Sequence, residues 1–230
     1  MFSASLTPAQ QDQERRALGS APKLRPINSG TLLAKAVLHV ALHSAAAVAA
    51  AEKTLPFQLS LGTSRSCEKL IHIARAAYAK GFLVGKNDFG NGFNSLSRQS
   101  MLDAHARAFP EAVELVNFFY GSRAPAFLVG PKGEVNLIFS EEGSRQGCAA
   151  GTEAFCLALN VVVQKLKEKY PEFEMRVLTD DLIPIVPPPQ ENSDHAWSLV
   201  FARYADFLQD LARLSWSLLD SSSTPIKDHY

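Results

Sequence analysis

The stretch from Met175 to Val186 constrains the fold more than any other part of this sequence. Met175-Arg176-Val177-Leu178 and Leu182-Ile183-Pro184-Ile185-Val186 are two mainly apolar runs separated by Thr179-Asp180-Asp181. Short runs rich in β-branched residues and split by turn formers are strand signals rather than helix signals. The separation is too small for a crossover, so the two strands must pair antiparallel through a tight turn. Pro184 removes one ladder donor and is expected to confine the second strand to an edge or a bulge.

Around this hairpin, helical and strand signals alternate. Residues 30–53 read as one helix rich in Ala and Leu. Ser66 to Lys80 reads as an amphipathic helix with Leu70, Ile73, Ala74 and Ala77 on one face and Gly81 as its stop. Phe82 to Phe89 is a short apolar run ending on Asp88, read as a buried strand. Helices are expected at about 97–108, 112–120 and 152–168, and a hairpin at 126–139 turning on Gly130 to Gly133. A final amphipathic helix carries Trp197, Phe201, Tyr204, Phe207 and Leu211. The fold class is α+β, an antiparallel sheet packed on helices.

Composition narrows the function classes. With 23 Lys+Arg against 23 Asp+Glu, the chain is not a polybasic protein that holds nucleic acid by bulk charge. A hydrophobic share of 47% excludes a disordered tail, and 230 residues suit one generous core or two small lobes. Cys67, Cys148 and Cys156 form no CxxC pair and no zinc spacing, so reduced thiols and an intracellular setting, nuclear or cytoplasmic, are expected. The apolar stretch 34–51 is interrupted by Lys35, His39 and His43, so no membrane partner is expected.

The chemistry-bearing positions are carboxylates at strand ends: Asp88 after one apolar run, Asp180 and Asp181 at the hairpin turn. Converging carboxylates repel, and a divalent cation relieves that cost. Mg²⁺ suits such a site because it takes one or two carboxylates and completes its shell from substrate phosphates. On spacing alone, turn chemistry and helix capping explain the same residues.

The surrounding residues resemble a known family. Asn87-Asp88-Phe89-Gly90-Asn91-Gly92-Phe93-Asn94 resembles the motif carrying the first catalytic Asp of reverse transcriptases of non-LTR (LINE-like) retrotransposons. Gly143-Ser144-Arg145-Gln146-Gly147 resembles their Gln-Gly loop opening a helix, and Leu178-Thr179-Asp180-Asp181 their Asp-Asp hairpin. Upstream, Arg25-Pro26-Ile27 is similar to the start of the fingers, and Gln58-Leu59-Ser60-Leu61-Gly62 with Cys67, Glu68 and His72 to the segment after it. The order agrees over roughly residues 23–215.

The resemblance implies a right-hand polymerase. It implies a polar arm at 1–20, partial fingers at 21–80, a palm at 81–219 and a loose tail at 220–230, with the thumb missing. Asp88, Asp180 and Asp181 would be catalytic and hold two Mg²⁺ ions. Arg25, and Lys23 beside it, would bind the triphosphate, Phe93 would bar the nucleotide 2′-hydroxyl, and Gln146 and Gly147 would floor the nucleotide site. The implied partners are an RNA template, a DNA primer and dNTPs, with no protein partner.

The sequence also departs from the family pattern. Leu178 stands for the usual aromatic, Gly92 for Ala, Cys148 for an acid and Thr152 for Pro. Three other readings follow: a non-catalytic remnant with weak nucleic-acid binding, an RNA-dependent RNA polymerase, which the bulk of Phe93 opposes, and a helical interaction domain.

Overall fold

The computed structural model describes residues 31–89, 92–130, 132–145 and 147–219. Arg25, Lys23, Gln146, the polar arm and the tail lie outside the described residues. In chain order the elements are helices α1 (Leu32–Leu42), α2 (Ala45–Glu52) and α3 (Ser66–Ala79), then strands β1 (Leu83–Val84) and β2 (Asn87–Asp88). Helices α4 (Gly92–Ser95), α5 (Arg98–Ala108) and α6 (Val113–Tyr120) lead to the hairpin β3 (Ala124–Val129) and β4 (Val135–Ser140). Helix α7 (Ala149–Lys169), strands β5 (Glu174–Leu178) and β6 (Asp181–Val186), and helix α8 (Asp194–Leu219) follow.

The hairpin expected at 175–186 forms as β5 and β6, but β6 is central rather than at an edge. It pairs with β5 on one side and with β1 and β2 on the other, all antiparallel. Pro184 is tolerated there because its missing donor falls on one neighbour only. Opposite it, Gly85 still donates its N–H to the Pro184 carbonyl at 2.9 Å, while the return bond cannot form. The ladder breaks at Gly85 and Lys86, which is why the strand expected from 82 to 89 appears as two short pieces. Gly85 also admits its neighbour: a Cβ there would lie 2.1 Å from the Tyr204 hydroxyl.

The single helix expected over 30–53 is two helices bent by 65°. The Ser44 hydroxyl accepts from the Ala47 N–H at 3.2 Å and starts α2, as the Thr31 hydroxyl starts α1. No single helix among the described residues is long and apolar enough to cross a membrane.

Helix α7 is the structural axis. Ala150, Phe155, Cys156, Leu159, Val163 and Leu166 are all buried, so the helix is apolar nearly all round and must be enclosed. It is enclosed by Met101 and Ala104 of α5, Phe207 and Leu211 of α8, and one sheet face made by Met175, Val177, Leu182 and Val186. The alternate residues Ile183 and Ile185 point to the other face, against Leu59 and Leu70. Each fully buried Leu, Ile or Phe contributes about 1.5–3 kcal/mol. All three cysteines are free thiols.

A charged knot ties α7 to α8. Tyr170 donates its hydroxyl to Asp210 Oδ2 at 2.6 Å, Lys169 bonds the same oxygen, and Arg213 donates to Oδ1 at 2.7 Å. The hydrogen bonds from Lys169 and Tyr170 hold the Asp210 carboxyl below its ordinary range. Burial, then the bond to Asp210, pushes the Tyr170 hydroxyl up to about 12. The signs predict opposite limbs. The Tyr170 contribution is complete below pH 10 or so and is lost as pH rises towards 12; the Asp210 contribution is complete above about pH 4 and is lost below it. Melting temperature measured against pH is therefore expected to plateau and fall at both ends. Tyr170→Phe removes the alkaline limb and lowers the plateau by roughly 3–10 °C, from one hydrogen bond to a charged acceptor.

Candidate catalytic edge of the central sheet

The pairing of β2 with β6 sets Asp88 directly opposite Asp181. The bond from Gly85 to Pro184 fixes the phase of the ladder, and counting outward makes Asp88 and Asp181 a non-hydrogen-bonded pair. Such pairs bring Cα atoms to about 4.5 Å and their side chains closest together. Like charges so placed destabilise the sheet unless a cation intervenes. Lys86 lies two residues before Asp88 and therefore on the same face. Its Nζ stands 3.1 Å from Asp181 Oδ1, with the lysine side chain 65% exposed. An exposed pair of this kind is weak and exchangeable.

The turn joining β5 to β6 is held from far away in sequence. Thr179 has φ +60°, unusual for a β-branched residue. The buried Gln58 side chain compensates: its Oε1 accepts the Thr179 N–H at 3.1 Å and its Nε2 donates to the Thr179 carbonyl at 3.2 Å. The Ser60 and Thr179 hydroxyls share a hydrogen bond of 2.8 Å. Leu59 and Val177 continue the link through backbone bonds between residues 57–59 and β5. Gln58 and Ser60 belong to a recognisable motif, but nothing local in it reveals that they hold the turn.

Asp180, at the same turn, lies near α7. Burial, then the charges of Asp180 and Glu153, push the Cys156 thiol far above its ordinary range. Among the described residues no group of three or more His, Cys, Asp or Glu side chains stands close enough to hold a metal ion. The donor chemistry of the Asp88–Asp181 pair nevertheless fits Mg²⁺, which is commonly held by one or two carboxylates plus phosphate oxygens. A cation there would compete with Lys86 for Asp181.

The other two motifs are bonded to each other. Gly143 donates to the Leu96 carbonyl at 3.0 Å, and Ser144 donates to the Phe93 carbonyl at 2.7 Å from its N–H and 3.3 Å from its hydroxyl. Arg145 secures the far side: its guanidinium donates to the Phe119 carbonyl at 2.6 Å and stacks over the Tyr120 ring. Gly147 is exposed at φ +91°, just before α7. The Phe93 ring is half-buried and stacked on Phe155, centroids 4.4 Å apart and planes at 15°. It is therefore a core contact, as is the ring of Phe89 next to Asp88, which meets Phe155 edge-on with centroids 6.5 Å apart.

An open hollow of about 590 Å³ lies between α1 and the start of α7, lined by Leu32, Lys35, His39, Gly147, Cys148 and Thr152. Lys35 and His39 had no signal beyond interrupting an apolar helix. Lys86 did have one, since period-two alternation places it beside Asp88.

No protein-family profile and no curated protein sequence matches the chain. Its fold is similar to solved telomerases. The apo telomerase of Candida tropicalis, truncated from its C-terminal domain, matches with a TM-score of 0.50 at 13% identity, over 80% of this chain and 38% of that one. The Candida albicans telomerase in complex with a TWJ fragment of telomeric RNA matches at 0.51 and 12% identity, over 90% of this chain and 36% of that one. The chain thus spans less than two-fifths of either. At such identities the likeness concerns the fold: a mixed α+β chain with antiparallel sheets, of polymerase-like form.

Proposed function

We propose that this chain is the palm and part of the fingers of an RNA-directed DNA polymerase, of the non-LTR retrotransposon type, that adds deoxynucleotides to a primer 3′-hydroxyl. The observation that carries the reading is the Asp88–Asp181 pair in register at the end of the central sheet, next to Asp180. The bonded Phe93 and Gly143–Gly147 segments support it, because a nucleotide site needs those two motifs side by side. The telomerase-like fold, one example of which holds RNA, supports a nucleic-acid partner.

In this reading Asp88 and Asp180 are the principal metal ligands and Asp181 the third carboxylate. Bound Mg²⁺ would activate the primer hydroxyl and neutralise the leaving pyrophosphate in an in-line transfer. The protein's own part is positional. Gln58 keeps the Thr179 turn in its strained form, and Lys86 offsets the charge of Asp181 while the carboxylates face each other. Phe93, backed by Phe155, offers a rigid wall that excludes by shape. Gly147 leaves the backbone open to close approach.

The test is primer extension on an RNA template with dNTPs and Mg²⁺, with Asp180→Ala as control. Wild-type extension well above the control is expected; equal rates sink the catalytic reading. The Lys86–Asp181 ion pair, and the lack of a three-carboxylate group among the described residues, favour a second reading, a non-catalytic remnant. That one predicts weak, salt-sensitive template binding and no metal-dependent extension.

A further inference from the structure

Helix α3 has two faces of opposite character. Leu70, Ile73 and Ala77 pack with Leu59 on Ile183 and Ile185, which fixes the helix against the sheet. On its outer side, Arg65 at the N-cap, Lys69, His72 and Lys80 at the C-cap follow at steps of three, four or eight residues. Such steps keep one side of a helix, and Arg75 stands beside the row. All five side chains belong to exposed residues, and Glu68 is the one acid in the helix sequence. From Arg65 to Lys80 the row runs about 22 Å, at 1.5 Å per residue.

The protein does not answer these charges itself. Among the described residues no carboxylate pairs with Arg65, Lys69, Arg75 or Lys80, whereas Lys86, Lys169, Arg176, Arg203 and Arg213 each have one. Lys35, Arg107 and Lys165, which also lack one, stand apart on α1, α5 and α7. In a chain of zero net charge, a row left positive on one fixed helix is complementary to a polyanion. Tyr78, three residues beyond Arg75 and 74% exposed, sets a ring beside the row. Cations that track a phosphate backbone, with an aromatic ring for a base to stack on, are what holds a single strand.

The helix covers the side of the sheet that carries the carboxylates. Ile183 faces α3, and Asp181 stands two residues before it on β6, so both share that face, as does Asp88 opposite. The chain reaches α3 a few residues after Ser60, whose hydroxyl bonds to Thr179 at the carboxylate turn. We propose that α3 is a docking surface for one single strand of nucleic acid. Its phosphates lie on Arg65, Lys69, Arg75 and Lys80, with a base against Tyr78. The proposal rests on the polymerase reading only for direction: on that reading the strand leads to the Asp88–Asp181 pair. An anionic membrane suits the surface less. The sheet already takes the apolar face of α3, which leaves Ile71 and Tyr78 to enter lipid.

The test is fluorescence anisotropy of a labelled single-stranded RNA oligonucleotide with the full chain, across a range of KCl concentrations. Each phosphate contact to a single strand is worth about 0.7 in the slope of log affinity against log salt. Lys69→Glu with Arg75→Glu is expected to flatten that slope by about 1.4 and to weaken binding at low salt at least about tenfold. Arg107→Glu with Lys165→Glu makes the same change in net charge on α5 and α7 and is expected to leave the slope unchanged. Tyr78→Ala is expected to weaken binding about fivefold at an unchanged slope. All these positions are exposed, and circular dichroism spectra matching the wild type confirm the folds compared. A wild type that binds no RNA at low salt, or a control pair that costs as much as the α3 pair, would overturn the proposal. So would an α3 pair that binds RNA like the wild type, or one that loses binding to phosphatidylserine vesicles and keeps RNA. Binding is read without catalysis, so the two readings fail separately. A chain that binds RNA through α3 yet extends no primer keeps this surface and loses the polymerase. A chain that extends primers while its α3 pair binds normally does the reverse.

Discussion

A Gly143→Ala chain is expected to melt roughly 6–12 °C below the wild type, from a loss of about 3 kcal/mol. Two effects add. Gly143 has φ +71°, a conformation that costs a residue bearing a Cβ about 1–2 kcal/mol. The added Cβ would also lie 2.4 Å from the Asn94 carbonyl oxygen and 2.6 Å from its carbon. Backbone cannot rotate aside as a side-chain tip can, so the loop must lift away from α4. Gly133→Ala is the matched control. Gly133 has φ +82°, but its Cβ would meet nothing within 4 Å, so only the conformational cost of about 1 kcal/mol is expected. Scanning calorimetry of the two variants separates strain from collision. Equal losses would mean that the contact with Asn94 contributes nothing.

Asp88→Asn carries the largest expected effect on activity. Asparagine keeps the size of the side chain and leaves the β2–β6 pairing unchanged, but removes the charge that a cation would answer. Extension is expected to fall on the order of 10³-fold, the scale of losing one electrostatic group at a reacting centre. The melting temperature should hold or rise, because two facing carboxylates become one. Asp181→Asn is expected to cost less, since Lys86 already balances that charge. Single-turnover incorporation rates for the two variants would check the order, and a larger loss at Asp181 would reverse the assigned roles.

What could be read in advance was what is local. The β5–β6 strands, the hairpin turn at Gly130–Gly133 and the helix over Ser66–Ala79 follow from apolar period and turn residues within a dozen positions. Where reading failed, a neighbour distant in sequence decided. Pro184 argues for an edge strand until it is seen that Gly85 alone absorbs its missing donor. Ser44 caps a new helix inside an alanine-rich run whose propensity hides the break. Phe93 is identifiable as a ring near Asp88, but its stacking on Phe155 belongs to the packing of α4 on α7. Gln58 carries no local signal for its partner at all.

The Gln58–Thr179 clamp spans 121 positions and has a consequence for the order of assembly. A hairpin such as β5–β6 can form alone within microseconds, yet its turn stays strained until the segment around Gln58 docks. On a ribosome, that segment emerges long before its partner exists and must wait, exposed, for most of the chain to follow. Contacts of such long range slow folding, because the loop must close before they can form. The carboxylate turn is therefore expected to be the last part of the molecule to settle. Changes near Gln58 should show first as slow acquisition of the native state, and only later as a less stable one.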